Sequence, residues 1–265
     1  GDSIVVTPAP RPSPRYRLPG VVRVQGKNGP FWMSDVAVLN PSDKTRRVRV
    51  TFSYVKAGAA GRATLESTLT FNPWEMKVAV DFVKTWLGLE PTDASGYASS
   101  FVDIAPAADD SAPTENLVVV GKTYTTTSTG TIGLQLDPFA YEDGISAQGS
   151  RRRIVLSGLE ANREYRTNLA LFLTPGSAGN AQVDVRVLDS FGRESKKILA
   201  VGLNADAPIV QLNSDTLFSG LTTGEASRAT IVIDNPRGTA VVGAYATVID
   251  NRSEDATFIA GQPAP

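Results

Sequence analysis

Apolar and polar side chains alternate along the chain in short runs, and clusters of Gly, Pro, Asn and Asp separate the runs. Val36 and Val38, then Val48-Arg49-Val50-Thr51-Phe52, keep a period of two across the turn cluster Asn40-Pro41-Ser42-Asp43, which predicts a half-buried hairpin. The same pattern predicts strands at Leu65 to Phe71, Met76 to Val80, Tyr97 to Ile104, Leu117 to Thr125 and Thr131 to Leu136. Many short strands with turn signals between them indicate an all-β sandwich. One segment departs from the pattern. Phe82, Val83, Trp86 and Leu87 recur at helical spacing, with Asp81 placed as N-cap and Gly88 as stop, so a short helix is expected at one end of the first sandwich. Asn72-Pro73-Trp74-Glu75 also reads as a capped helix entry, but Val78-Ala79-Val80 favours a strand after it.

The two halves of the chain repeat one plan. Trp32-Met33-Ser34-Asp35-Val36-Ala37-Val38-Leu39 aligns with Tyr165-Arg166-Thr167-Asn168-Leu169-Ala170-Leu171-Phe172, aromatic on aromatic, hydroxyl on hydroxyl and Asp on Asn. A Pro-containing turn follows in each half, and then Val48 to Phe52 matches Val183 to Val187. Gly121 to Tyr124 and Gly243 to Tyr245 match with a slip of one residue, which would send the two tyrosines to opposite faces. The organisation expected is a tip and tether over residues 1–17, a first Ig-like sandwich over 18–138, a linker over 139–150 and a second Ig-like sandwich over 151–265. At the start, the β-branched run Ile4-Val5-Val6-Thr7 precedes Pro8, Pro10, Pro12 and Pro14. Such proline density favours an extended spacer, so Ile4, Val5, Val6 and Thr7 form a candidate assembly strand on a stiff tether.

Composition narrows the chemistry. The chain of 265 residues has no His and no Cys, which removes imidazole bases, Ser-His-Asp triads, thiol nucleophiles and ordinary zinc sites built from this chain alone. A formal charge of -1 supplies no field for nucleic acid, and no apolar run is long enough to span a membrane. Ser53-Tyr54-Val55-Lys56 matches an acylating Ser-x-x-Lys pattern but ends a strand instead of sitting on a helix, and Gly121-Lys122-Thr123 lacks the upstream Gly of a phosphate loop. Asp109-Asp110, Asp137 with Glu142 and Asp143, and Asp250 through Asp255 read as solvated turns in preference to calcium loops. Arg151-Arg152-Arg153 reads as an exposed basic strand start. Trp32 and Trp86 are expected in the core, which leaves Trp74 as the candidate ligand contact. No catalytic residue, metal site or cofactor is expected.

Phe31-Trp32-x-Ser34-Asp35-x-x-x-x-Asn40-Pro41, Tyr165-Arg166-Thr167-Asn168-Leu169, and Ala244 through Asn251 with Thr257-Phe258-Ile259 resemble a group of repeated β-sandwich domains found in secreted and surface proteins of environmental bacteria. The resemblance covers most of the chain after Pro19. It implies export and tandem sandwiches, and it carries no catalytic or binding residues. The function expected is a non-catalytic extracellular or cell-surface module with a structural or adhesive role. Its partners would be other copies of itself, assembled as surface filaments, or cell-surface components. The alternative is a carbohydrate-binding module whose ligands are glycans.

Overall fold

A computed structural model describes residues 13–25, 30–56, 61–89, 97–128 and 130–265. The candidate assembly segment Ile4-Val5-Val6-Thr7 lies outside these residues. Strand accounts for about 57% of the chain and helix for about 5%, which fixes the class as all-β. The chain divides into two compact units, Pro12–Tyr141 and Glu142–Pro265.

The first unit runs β1 (Tyr16–Pro19), β2 (Val24–Gln25), β3 (Phe31–Leu39), β4 (Arg46–Lys56), β5 (Ala63–Phe71), β6 (Met76–Ala79), α1 (Phe82–Thr85), β7 (Tyr97–Pro106), β8 (Val118–Thr127) and β9 (Gly130–Leu136). One sheet has the order β1-β7-β4-β5; in the other, β2 and β6 follow each other along one edge of β3, and β8 and β9 lie beyond it. Alternation explains the core: Val36 and Val38 from β3 and Val48, Val50 and Phe52 from β4 are fully buried, together with Leu18, Val102 and Ile104.

The second unit runs β10 (Arg153–Leu159), β11 (Tyr165–Leu173), β12 (Ala181–Leu188), β13 (Glu194–Leu203), β14 (Ile209–Leu212), α2 (Ser214–Phe218), β15 (Ala229–Gly238), β16 (Val242–Asp250), β17 (Ala256–Ala260) and β18 (Gln262–Ala264). Its sheets are β13-β12-β15-β10-β18 and β14-β11-β16-β17. With β10 in the place of β1, β11 to β14 in the places of β3 to β6, and β15 to β17 in the places of β7 to β9, the two units share one strand order. β18 is the addition. The core draws on both sheets, with Leu169, Leu171, Val183, Val185, Ile231, Ile233 and Ala244 among its members.

Several expectations change. Ladder register places Tyr245 opposite Ala170, and Tyr124 opposite Met33. Tyr245 is therefore level with Val120, which faces Ala37, and the two tyrosines sit on the same face four positions apart. The match with a one-residue slip paired the wrong residues. The span 139–150 is not a free linker: Phe139 exchanges two hydrogen bonds of 2.8 Å with Arg17, and Ile145 exchanges bonds of 2.8 and 2.9 Å with Val242. Each end is sewn into a unit.

The helix α1 is present, but Asp81 does not cap it with its side chain; its backbone is left-handed (φ 49°), and its carboxylate takes the Arg23 guanidinium at 3.0 Å. Gly88, at φ 65°, does end the helix, its N–H bonding the Lys84 carbonyl at 3.0 Å. α2 escaped the sequence pattern, although Asn213 accepts from the Thr216 N–H at 2.9 Å as an N-cap should. Asp110 is no solvated turn residue: it is buried with Arg46, Nε to Oδ2 2.7 Å, and it also accepts the Arg47 N–H at 3.0 Å. Trp32 is half-buried, not core, as is Tyr165 at the matching position, and Trp86 is half-buried against the Phe82 ring at 5.5 Å. Ser53 is buried within strand β4, with no helix to present it to a lysine.

Candidate functional site

The outer face of the β6-β3-β8-β9 sheet holds the most unusual surface of the first unit. Period two sends Val36 and Val38 of β3 inward and leaves Asp35, Ala37 and Leu39 outward. On β8, Val119, Thr123 and Thr125 go inward, and Val118, Val120, Lys122 and Tyr124 go outward. β6 sends Ala79 inward and Met76 and Val78 outward, with Val80 just beyond its end. Register then sets the outward side chains in rows: Met76, Leu39 and Val118 in one; Val78, Ala37 and Val120 in the next; Asp35, Lys122 and Gln135 in the third. Met76, Val78, Val80, Val118 and Val120 are 60, 52, 59, 46 and 44% exposed. Scattered apolar exposure is ordinary, but five such side chains on one sheet face and its edge form a contiguous patch of the kind that marks an interaction surface.

A groove of about 480 Å³ runs over this face, with Ala37, Val78, Val120, Tyr124 and Gln135 in its lining. Gly133 opens its far side. A Cβ there would stand 2.3 Å from the Thr123 carbonyl oxygen, so the position admits no side chain without backbone movement. The groove's polar end is anchored: Lys122 Nζ lies 3.1 Å from Asp35 Oδ2 and 4.6 Å from the centre of the Tyr124 ring, and the Asp81 N–H donates to Asp35 Oδ1 at 2.9 Å. Loss of solvent around the Tyr124 hydroxyl, its hydrogen bond to Asp35 and the charges of Asp35 and Asp81 push its pKa up to about 12. Tyr124 therefore stays neutral over the physiological range.

The corresponding face of the second unit is closed. Ladder equivalence puts Phe172 where the first unit has Leu39, Tyr245 where it has Val120, Phe258 where it has Gln135, and Gln211 where it has Val78. The Tyr245 and Phe258 rings stack at 4.8 Å, Phe172 lies 6.2 Å from Tyr245, and Ala170, Phe172, Tyr245 and Phe258 are 2, 0, 9 and 8% exposed. Burial pushes the Tyr245 pKa up to about 12.

Trp74, the ligand contact expected from sequence, is 67% exposed in the turn before β6, held at φ 60° by a bond from its N–H to the Ser42 carbonyl at 3.2 Å. Among the described residues no ring packs against it. A second recess was not legible in the sequence: at one end of the second unit, about 600 Å³ is lined by Tyr165, Arg166, Asn168, Asn213, Asp215 and Asn251. Among the described residues no group of three or more acids is arranged to hold a metal ion. In the Asp250 turn, the carboxylate accepts the N–H groups of Arg252 and Ser253 at 2.7 and 3.1 Å. Asp184, buried on the second unit's other sheet, is opposed by its burial; bonds from the Ala200 N–H, the Asn235 amide and Arg237, together with the Arg237 charge, outweigh that and hold its carboxyl below the ordinary range.

No protein-family model matches the chain, and no curated protein matches it. A crystal structure of a "putative secreted protein" from Parabacteroides distasonis aligns over 99% of this chain and 82% of that one, at 8% identity and a TM-score of 0.21. No described helix is long and apolar enough to cross a membrane.

Proposed function

We propose that the chain is a non-catalytic structural module of the bacterial cell exterior that acts by docking protein on the open outer face of its first unit. The observation carrying this reading is the contrast between two equivalent sheet faces. On one, Phe172, Tyr245 and Phe258 form a buried aromatic cluster; the other leaves Met76, Val78, Val80, Val118 and Val120 in water. An exposed apolar strand edge is costly to a lone protein and useful to one that binds. The absence of His and Cys supports a role without catalysis, and the resemblance to repeated sandwich domains of surface proteins supports export.

A second reading, carbohydrate binding, is favoured by exposed Trp74 and by the half-exposed Tyr165 beside the amides of Asn168, Asn213 and Asn251. Aromatic faces with amide hydrogen bonds suit sugar rings. The two readings separate on bacteria that display the protein's partners. Labelled full-length chain is expected to bind intact cells, to lose binding when surface proteins are shaved with protease, and to keep it after periodate oxidation of glycans. Val120→Lys is expected to weaken binding at least about tenfold by placing a charge in an apolar contact. Binding lost to periodate and to Trp74→Ala, but indifferent to Val120→Lys, would replace the first reading with the second.

A further inference from the structure

We propose that the occupant of the open edge is the Ile4-Val5-Val6-Thr7 strand of a second copy of this chain, added beside β6. This rests on the reading of the first unit's outer face as a docking surface, and it names the partner.

Four observations converge on it. The acceptor is a free edge: β6 bonds to β3 on one side, and among the described residues no strand pairs with its other side. Its apolar side chains alternate outward along that edge at Met76, Val78 and Val80, each more than half exposed. Strand addition draws affinity from main-chain bonds and specificity from alternate side chains, and β6 presents both.

The donor has matching length and pattern. β6 spans four residues, and Ile4-Val5-Val6-Thr7 supplies four β-branched residues, with Ile4 and Val6 on one face to lie beside the outward Met76 and Val78. The chain also contains a working example of this pattern: Leu134-Gln135-Leu136-Asp137-Pro138 has the same order of apolar, any, apolar, polar and Pro, and its first three residues form the end of β9, an edge strand on β8. Proline after the strand ends the pairing without a competing donor.

The acceptor is specific to the first unit. At the equivalent edge β14, Ile209 stands where β6 has Met76 but polar Gln211 where it has Val78, and the adjoining face of Phe172, Tyr245 and Phe258 is already buried. A strand with an apolar face finds less open apolar surface there.

The tether favours a second copy over the donor's own edge. Residues 8–12 carry three prolines and reach about 16 Å if extended at ~3.1 Å each. They join the domain at Ser13, which bridges Leu117 at the start of β8, and β3 lies between β8 and β6. Pro8, Pro10 and Pro12 favour an extended spacer, and laying the tip back across two strands of the same sheet would require a reversal that such a spacer resists. One donor and one acceptor on each copy make a head-to-tail contact, which extends into a filament where the rotation between copies does not close a ring.

The lack of native cysteine makes the test direct. Full-length Val6→Cys and Val78→Cys chains, mixed and mildly oxidised, are expected to give a disulfide-linked pair containing one of each, whereas Val6→Cys with Gln211→Cys gives at least tenfold less. Val78 is exposed and tolerates the change, and circular dichroism checks that each variant keeps its fold. In sedimentation velocity the unmodified chain is expected to grow in mass with concentration, and Val6→Asp and Val78→Lys are each expected to remain monomeric. A doubly substituted chain that closes its disulfide within one molecule, equal linking to Gln211→Cys, or a wild-type chain monomeric throughout would overturn self-donation. The cell-binding experiment would still report on docking by another protein, so the two failures are distinguishable.

Discussion

The outer faces of the two second sheets are built on the same ladders and meet water differently. In the second unit, Phe172, Tyr245 and Phe258 place three rings over the sheet, two of them stacked at 4.8 Å. The first unit puts Leu39, Val120 and Gln135 at those positions, and the groove over Ala37 stays open. Strand order alone does not decide whether a face meets water: matched positions carry three buried rings in one unit and Leu39, Val120 and Gln135 beside an open groove in the other. One plan used twice yields one face that is buried and one that meets water.

The comparison can be broken most severely at its sealed side. Phe172→Ala removes a fully buried ring and is expected to cost about 3–5 kcal/mol, whereas Val120→Ala, at a 44% exposed position, is expected to stay within about 0.5 kcal/mol. Hydrogen exchange resolved by strand, reading β11 and β16 against β3 and β8, assigns each loss to its own unit. Equal costs would mean that the two faces are buried alike.

A smaller effect is expected at Gly133. Its added Cβ would meet the Thr123 carbonyl oxygen at 2.3 Å, so Gly133→Ala is expected to lose about 1–3 kcal/mol and to loosen β9, while the second unit carries Ala256 at the equivalent ladder position without penalty. Denaturant unfolding of the two reciprocal variants, Gly133→Ala and Ala256→Gly, measures the asymmetry.

Acid should separate the units more gently. Asp184 is held below its ordinary pKa in the second unit, and the corresponding β4 residue is Arg49, which carries no such buried carboxylate. A depressed folded pKa contributes stability above the unfolded value near ~3.9 and loses it as pH falls through the folded value. The second unit is therefore expected to weaken below about pH 4 through this group, and Asp184→Asn is expected to flatten that part of its stability profile. An unchanged acid limb in thermal melts between pH 2 and 5 would remove Asp184 from the account.

Much of this architecture was legible because period two and turn residues announce strands directly. Met76 to Val80 and Thr131 to Leu136 fell within a residue of their observed ends. Period two tells which side chains share a face; it does not tell which face meets the core. The open patch on β6 and β8 passed unnoticed for this reason, whereas Trp32, on the core-facing side of β3 with Val36 and Val38, is half-buried because it lies near the start of the strand. Asp110 was misread for a related reason, since its partner Arg46 lies 64 positions away in sequence. α2 was missed because five residues offer too little periodicity to stand out, despite the Asn213 cap. The end-on recess at Tyr165 draws on β11, α2 and the turn after β16, and only the fold brings these together.

The central claim, that one repeat leaves open the face the other closes, is tested most directly at a matched pair. Ala37 and Ala170 occupy the same ladder position in the two sheets, and the chain has no cysteine of its own. Ala37→Cys and Ala170→Cys, each in the full chain, can be timed against a thiol reagent under native conditions. The cysteine at 37 is expected to react at least about tenfold faster, because the one at 170 must await local opening. Equal rates would contradict the account.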